Sequence, residues 1–312
     1  MILYTVIPCY NEEEVLPQTA EILSNKYRAL IEAGLISKES RILFVDDGSK
    51  DRTWEMISDY HGKNPIFSGV KLSRNRGHQN ALFAGLMEAA KYCDAAVSID
   101  ADLQDDVDAI DKMIVKFNEG CDVVYGVRDK RDSDKFLKRF TAEGYYRVMK
   151  FFGANVIFNH ADFRLMSRRA IEALSEFGEV NLFLRGMVPM LGFKNGVVYY
   201  ERRPRLAGES KYTVKKMLDL AWNGITSFST RPIDMILFGG LFVSGAALFA
   251  MLVFLVLLIF GISVGGTGWI IASVFLCCGT NLAALGVVGE YVGKAYIETK
   301  HRPKYIIEEI IK

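Results

Sequence analysis

Two aspartates separated by one residue give the clearest chemical signal in the chain. Asp100 and Asp102 directly follow the apolar run Ala95–Ile99, which is typical of a β-strand, and Gln104 comes two residues later. Because alternate residues of extended backbone point the same way, both carboxylates can face one site, with Gln104 nearby. Two carboxylates with a diphosphate and water suit Mg²⁺ or Mn²⁺. The alternative is an acidic turn that caps the next helix.

A second acidic pair, Asp46 and Asp47, ends another apolar run. Gly48 after it permits a tight turn, and Ser49 or Asp51 can cap the following helix. We expect an exposed carboxylate here, able to accept hydrogen bonds from a base or a ribose. A capped turn alone would explain Gly48 and Asp51 but not the doubled aspartate.

Two further polar stretches precede helical patterns. Ile7–Glu13 follows the first apolar run of the chain, and Ser73–Asn80 follows the third. The polar groups of Ser73–Asn80 precede a predicted helix, whose N-terminus favours anions. We interpret His78, within that stretch, as a structural hydrogen-bonding residue rather than a catalyst.

Apolar runs that alternate with helical patterns predict an α/β fold. The runs predict strands at Leu3–Pro8, Arg41–Val45, Phe67–Leu72, Ala95–Ile99 and Asp122–Val127. The helical patterns lie at Glu14–Ala33, Arg52–His61, Gly77–Tyr92 and Val107–Glu119. This alternation implies βαβ units and a mostly parallel sheet, in which ligands bind beyond the carboxyl ends of the strands. The polar stretches all fall at those ends.

The charge of the chain is unevenly distributed. The 312 residues carry a net charge of +1, and this near-neutral balance argues against a nucleic-acid partner. From Met235 to Gly289 there is no Asp, Glu, Lys, Arg or His. Because about 20 apolar residues can cross a bilayer, we predict two transmembrane helices, near Ile233–Phe260 and Trp269–Val292.

The residues around these two segments predict an orientation. In Tyr212–Ser229 apolar residues repeat every three and four positions, which predicts an amphipathic helix suited to the lipid interface. An ordinary surface helix is the alternative. Basic residues lie on the same side of both segments, at Arg231 and from Lys294 onward. The positive-inside rule then predicts a multi-pass plasma-membrane protein with a cytoplasmic catalytic domain.

Taken in the order in which they occur along the chain, the four polar stretches resemble the family 2 glycosyltransferases, which have a GT-A fold. The resemblance spans about Leu3–Val127. It implies a nucleotide-sugar pocket that includes Pro8, Tyr10, Glu12, Glu13, Asp46, Asp47 and Asp100. It also implies a Mg²⁺ or Mn²⁺ site at Asp100, Asp102 and Gln104.

Later motifs resemble one group within that family, the polyprenyl-phosphate glycosyltransferases related to dolichol-phosphate mannose synthase. These motifs are Gly126–Arg128, Asp162–Arg168 and Arg205–Tyr212, and the predicted two-helix tail is most similar to bacterial undecaprenyl-phosphate glucosyltransferases. The resemblance implies that Arg128, Arg131 and Arg139 bind the acceptor phosphate, and that Arg205 and Lys211 lie near the donor diphosphate.

Asp102, Asp162 and Arg128 are the candidate catalytic residues. For Asp162 we favour an orienting role, such as pairing with Arg164, over a role as general base. A lipid monophosphate is largely a dianion at neutral pH, because its second pKa is about 6, and it needs little help from a base.

The sequence therefore predicts four segments and one reaction. A GT-A catalytic domain is expected over residues 1–210, a juxtamembrane amphipathic helix over 211–232, two transmembrane helices within 233–293 and a cytoplasmic tail over 294–312. The expected reaction transfers one hexose, with inversion, from a nucleotide-sugar to polyprenyl phosphate, with UDP-glucose as the favoured donor. A GDP-mannose-dependent mannosyltransferase and an inactive membrane scaffold are the alternatives. The glycine- and alanine-rich hairpin would also allow packing against copies of itself.

Overall fold

The computed structural model describes residues 1–128, 160–179, 182–201 and 266–312, with a few isolated positions between 236 and 260. The chain divides into two compact units. The first comprises Met1–Arg147, Asn155–Met217 and Arg302–Lys312, and the second comprises Val148–Ala154 and Leu218–His301. The chain thus leaves the first unit and returns to it for its last residues.

The described elements of the first unit begin with four alternations of strand and helix. These are β1 (Leu3–Cys9), α1 (Leu16–Glu32), β2 (Arg41–Asp46), α2 (Thr53–Lys63), β3 (Phe67–Leu72), α3 (His78–Ala89), β4 (Ala95–Ser98) and α4 (Ala109–Asn118). Then come β5 (Val123–Arg128), β6 (His160–Ser167), α5 (Arg168–Ser175), α6 (Leu184–Met190) and β7 (Asn195–Tyr200). The second unit contributes α7 (Thr267–Thr299), and β8 (Ile307–Ile311) belongs to the first unit again.

Among the described residues, eight strands form one sheet in the order β7-β5-β6-β4-β1-β2-β3-β8. Strands β1 to β4 run parallel to one another, and β5 runs parallel to β7. Strands β6 and β8 are antiparallel to their neighbours. The predicted α/β class with a mostly parallel, GT-A-like sheet is confirmed, and the antiparallel β6 is a feature that the sequence did not predict.

Helix α3 lies close against the sheet because Gly85 has no side chain. A Cβ atom at Gly85 would lie 2.4 Å from Val6 Cγ1 and 2.5 Å from Val45 Cγ2. Strands β1 and β2 are largely apolar along their whole length because they are buried on both faces. This close packing fixes the start of α3, at His78, near the carboxyl ends of the central strands.

Strand β8 forms one edge of the described sheet. It pairs antiparallel with β3, with Val70 opposite Ile310. Side chains support the pairing, since Trp54 Nε1 donates to Glu309 Oε2 at 3.2 Å. Part of the segment expected to form a tail over 294–312 therefore lies in the sheet of the first unit.

The structure corrects the predicted localisation. Helix α7 has 33 residues and contains the second predicted segment, Trp269–Val292, whereas Tyr212–Ser229 and nearly all of Ile233–Phe260 lie outside the described residues. Among the helices that the structure describes, none is both long and apolar enough to cross a membrane. This finding contradicts the multi-pass plasma-membrane prediction and leaves the predicted hairpin unsupported. An absence of charged residues predicted these segments, but a run without charges is not by itself apolar enough to cross a bilayer.

Candidate active site

The acidic residues that follow β4 form a tight turn. The Leu103 N–H donates to the carbonyl oxygen of Asp100 at 3.2 Å, and the Gln104 N–H donates to Asp102 Oδ1 at 3.3 Å. Buried Leu103 has a φ of +43°, in the left-handed region. A non-glycine residue in that region costs about 1–3 kcal/mol, and such strain concentrates at functional sites.

Asp100 and Asp102 suit a divalent cation that is bound together with phosphate oxygens. The side chain of Asp100 is 43% exposed, and Asp102 is half-buried. Burial raises the pKa of Asp100, the His78 imidazole opposes that rise, and the nearby carboxylates of Asp105 and Asp162 add to it. A cation would relieve this repulsion.

No group of three or more His, Cys, Asp or Glu side chains in the described part of the chain could hold a metal ion alone. Mg²⁺ is commonly bound by one or two carboxylates plus substrate phosphates. The donor set of Asp100 and Asp102 fits that mode rather than a site made only of protein ligands. Gln104 is largely buried, and its part in a metal site stays a prediction.

Asp162, on β6, is the centre of a buried ionic cluster. Its Oδ1 accepts from Arg164 Nη2 at 2.6 Å and from Arg185 Nε at 3.2 Å. Its Oδ2 accepts from Arg185 Nη2 at 3.1 Å and from Gln79 Nε2 at 3.2 Å. Both oxygens are thus engaged. The expected pairing with Arg164 is present, while an orienting role in the reaction stays a prediction.

The charge state of Asp162 follows from these partners. Burial alone would raise the pKa of its carboxyl, but Arg185, the hydrogen bond with His78 and Arg164 together hold that pKa well below its ordinary value. Asp162 therefore stays ionised at neutral pH with its lone pairs occupied. A carboxylate in this state is a poor proton acceptor.

His78 links this cluster to the acidic turn. Its Nε2 lies 3.5 Å from Asp162 Oδ2 and 3.6 Å from Asp100 Oδ1. Burial acts to lower the pKa of His78, but the carboxylates of Asp162 and Asp100 outweigh it and raise that pKa above its ordinary value. His78, at the first position of α3, thus lies between Asp162, a candidate catalytic residue, and Asp100, a candidate metal ligand.

Arg128, at the end of β5, is held by two residues that the sequence analysis missed. Arg128 Nη2 donates to Asp105 Oδ1 at 3.0 Å, and Arg128 Nε donates to the Tyr200 hydroxyl at 3.3 Å. The Tyr200 hydroxyl in turn donates to Asp105 Oδ1. Asp105 and Tyr200 are buried, whereas Arg128 is half-buried at the carboxyl edge of the sheet. The other predicted phosphate-binding residues, Arg131, Arg139, Arg205 and Lys211, lie outside the described residues.

The predicted nucleotide-pocket residues of the first stretch lie beside the β2–α2 loop. Asn11 N donates to Ser49 Oγ at 3.0 Å, and Arg52 N donates to Glu13 Oε2 at 3.1 Å. These bonds join the loops that follow β1 and β2. Pro8 is buried within β1, whereas Tyr10 and Glu12 are half-buried where that strand ends.

The expectation of an exposed carboxylate at Asp46 and Asp47 is wrong. The two residues are 0% and 3% exposed. Asp46 Oδ1 accepts from the backbone of Ser49 at 3.2 Å, whereas Asp47 accepts from the backbone of Arg76 at 2.7 Å and of Gly77 at 2.8 Å. One aspartate thus closes its own turn and the other fixes the β3–α3 loop, which explains the doubled aspartate. A role for either residue in nucleotide binding stays a prediction.

Position 48, beside these two turns, requires glycine for two reasons: its backbone conformation and the lack of room for a side chain. Its φ is +68°, and a Cβ there would lie 2.7 Å from the backbone carbon of Arg74 and 2.7 Å from the backbone nitrogen of Asn75. The β2–α2 loop and the β3–α3 loop therefore contact each other directly at Gly48. This contact helps to place His78 and Gln79 beside the acidic turn.

With this architecture and site, the chain matches a known enzyme family. Residues 4–175 match the family described as Glycosyl transferase family 2, which is more than half of the chain. The chain belongs to this family and is a glycosyltransferase, as the order of its motifs predicted.

Its relatives cover nearly the whole chain. It is 47% identical over 307 residues to the uncharacterized glycosyltransferase YkoT of Bacillus subtilis (strain 168), covering 98% of this chain and 91% of the relative. It is 39% identical over 314 residues to the prophage bactoprenol glucosyl transferase homolog of Escherichia coli (strain K12), covering 100% of both. It is also 39% identical over 310 residues to the bactoprenol glucosyl transferase of Shigella phage SfV, covering 99% and 98%. The resemblance to this group of family 2 glycosyltransferases is confirmed.

Proposed function

We propose that this glycosyltransferase transfers a single hexose, with inversion, from a nucleotide-sugar to polyprenyl phosphate, with UDP-glucose as the favoured donor. Support comes from full-length relatives that are named bactoprenol glucosyl transferases, at 39% identity. The donor and the acceptor are the finer parts of this proposal, since the chain's membership of the family gives only glycosyl transfer.

One observation carries the proposal: paired carboxylates and arginines come together at the carboxyl edge of the sheet. Asp100 lies 3.6 Å from His78, and His78 lies 3.5 Å from Asp162, which Arg185 also contacts. Carboxylates can hold a cation, and guanidinium groups can hold phosphates. A reaction with phosphate groups on both donor and acceptor uses both kinds of side chain.

The residues present fit a divalent cation, which Asp100 and Asp102 would hold together with the donor diphosphate. When bound, Mg²⁺ or Mn²⁺ supplies a Lewis acid that offsets charge on the departing diphosphate. The turn that follows β4 is fixed by its own hydrogen bonds and would hold Asp100 and Asp102 in place for such a cation.

The acceptor phosphate needs alignment more than deprotonation. It is largely a dianion at neutral pH, so one of its oxygens can attack the anomeric carbon directly. The ionised and fully engaged Asp162 agrees with a reaction that needs no general base. Arg128, fixed by Asp105 and Tyr200, would orient the acceptor phosphate. Attack from the face opposite the leaving group inverts the anomeric centre.

A donor screen tests this proposal. Purified enzyme is incubated with Mg²⁺ or Mn²⁺, undecaprenyl phosphate and radiolabelled UDP-glucose, GDP-mannose or UDP-N-acetylglucosamine. Label in the lipid extract identifies the sugar. We expect UDP-glucose to give the product, and Asp102→Asn to lower the rate by about 10²–10³-fold, as loss of charge stabilisation does in other enzymes.

The matched control is Asp108→Asn, an exposed aspartate on the same segment that pairs with Lys26. It should leave turnover within about twofold, because exposed ion pairs contribute little. Label released only as free sugar would rule out the lipid acceptor. Undiminished transfer by Asp102→Asn would rule out the assigned cation site.

A further inference from the structure

Two arginines share one carboxylate beside the acidic turn. Arg164 Nη2 contacts Asp162 Oδ1 at 2.6 Å, and Arg185 contacts Oδ1 through Nε at 3.2 Å and Oδ2 through Nη2 at 3.1 Å. Each guanidinium carries a full positive charge at neutral pH. Asp162 is therefore a carboxylate shared by two guanidinium groups.

The two arginines differ in their access to a ligand. The side chain of Arg164 is 2% exposed, and it also donates to the carbonyl oxygen of Leu184 at 3.1 Å. The side chain of Arg185 is 36% exposed. A ligand can therefore reach the guanidinium of Arg185, whereas Arg164 serves the interior of the cluster.

Arg185 lies near the proposed cation site. Arg185 Nη2 and His78 Nε2 both contact Oδ2 of Asp162, at 3.1 and 3.5 Å, and the same His78 nitrogen lies 3.6 Å from Asp100 Oδ1. Gln79 fixes Asp162 with a further hydrogen bond of 3.2 Å. Because Asp162 is held so firmly, the guanidinium that contacts it through two nitrogens is pre-oriented.

We propose that Arg185 binds phosphate oxygens of a substrate at this site, a role that rests on the proposed function. In the reaction, an acceptor phosphate oxygen forms the bond to the anomeric carbon. The bond from that carbon to the diphosphate oxygen breaks, and its electron pair stays on the diphosphate. A pre-oriented guanidinium beside the cation site stabilises such negative charge through charge-assisted hydrogen bonds. The same chemistry would recognise the donor diphosphate or the acceptor monophosphate.

The test compares Arg185→Gln and Arg185→Lys with the wild type. The control is Arg169→Gln, which removes another arginine paired with an aspartate, Asp122, at a 68% exposed position. Calorimetry measures the dissociation constant of UDP with Mg²⁺ present, and steady-state kinetics measures the KM of undecaprenyl phosphate. We expect Arg185→Gln to raise either the dissociation constant of UDP or the KM of undecaprenyl phosphate about 10- to 100-fold, as loss of a hydrogen bond to a charged group does. Arg185→Lys should recover part of that loss, because it keeps the positive charge but not the planar guanidinium group. For Arg169→Gln, both constants should stay within twofold of the wild-type values.

The two arms separate the sources of the phosphate. A raised UDP dissociation constant assigns Arg185 to the donor, and a raised KM for undecaprenyl phosphate with normal UDP binding assigns it to the acceptor. A lower melting temperature with both constants within twofold of the wild type would overturn the proposal. If Arg185→Gln does not fold, Arg185→Lys takes its place. Because lysine cannot reproduce the planar guanidinium, constants within twofold of the wild type for Arg185→Lys would overturn a hydrogen-bonded phosphate at Arg185. Wild-type enzyme that binds UDP but glycosylates no lipid phosphate would defeat the proposed acceptor while the UDP arm still tests Arg185.

Discussion

Replacing Asp162 by asparagine removes the one negative charge that the two arginines of the buried cluster share. The change keeps the size of the side chain and one oxygen acceptor. It places an NH₂ group where the structure has a carboxylate oxygen that accepts from arginine. Arg164, which is 2% exposed, then carries a buried charge without a counter-ion.

The expected magnitude follows from that burial. Breaking a buried ion pair by removing one partner costs about 3–5 kcal/mol, because the remaining charge stays desolvated. For a domain of roughly 150–250 residues, each kcal/mol lowers the melting temperature by about 2–4 °C. We therefore expect Asp162→Asn to melt about 6–20 °C below the wild type.

Thermal melts and urea unfolding at pH 7 measure this difference, with Asp108→Asn as the control. Asp108 is 68% exposed and pairs with Lys26, so its loss should cost about 1 kcal/mol or less. The pH dependence gives a second readout. Because the pKa of Asp162 is lower in the folded state, its stabilisation is full above the ordinary aspartate pKa of about 3.9 and declines as the pH falls below it. The difference in free energy of unfolding between the wild type and Asp162→Asn should therefore become smaller at acidic pH.

Two outcomes would refute this reasoning. A variant within about 1 kcal/mol of the wild type at pH 7 would show that Asp162 does not neutralise Arg164 in the folded protein. A variant of normal stability whose turnover has lost the acidic limb of its pH–rate profile would make Asp162 a general base, against the orienting role.

Three further predictions concern other parts of the first unit. Gly48→Ala should destabilise by about 1–3 kcal/mol in urea unfolding, because its Cβ would meet backbone atoms at 2.7 Å. Gly34→Ala, at a similar φ of +70° but with nothing within 4 Å, should cost about 1 kcal/mol from strain alone, and equal losses would refute the steric argument. Glu88→Gln should lower stability at pH 7, and this loss should shrink as the pH falls below the ordinary glutamate pKa of about 4.3. Two lysines outweigh burial and depress the pKa of Glu88 in the folded state, so its stabilisation disappears as the pH falls through that pKa. A pH-independent difference in the melts would refute this linkage. Asp105→Asn should raise the KM for undecaprenyl phosphate about tenfold with a smaller change in kcat, because it frees Arg128; a change confined to kcat would place Arg128 outside acceptor binding.

The first half of the fold could be predicted because its signals are local. Strands β1 to β5 are continuous apolar runs, and the helices between them show clear periodicity. Strand β6 was not predicted, because it carries Asp162 and Arg164, and charged residues normally indicate a surface. Here the two charges neutralise each other in the interior, a pairing that hydrophobic pattern does not register. The short β8 follows a long apolar segment and pairs with a strand far away in sequence.

The residues of the candidate site likewise divide into those with a local sequence signal and those without one. The spacing of Asp100 and Asp102 predicted that they would meet at the end of β4. Arg185 and Tyr200 had no local signal, because they join the site through partners 23 and 95 residues away in sequence. Asp105 carried a weak signal as an additional carboxylate directly after Gln104. Such long-range polar contacts depend on the tertiary arrangement of strands, which spacing alone does not give.

The position of β8 has a consequence for how the chain is made. During synthesis, β3 is complete early, but its partner Ile307–Ile311 leaves the ribosome only after the second unit has been translated. Until then the nascent protein presents β3 with an unpaired row of backbone N–H and C=O groups. Such edges recruit strands from other chains. Translation arrested before residue 307 should therefore yield products that self-associate more than the 312-residue chain, in which β8 pairs with β3.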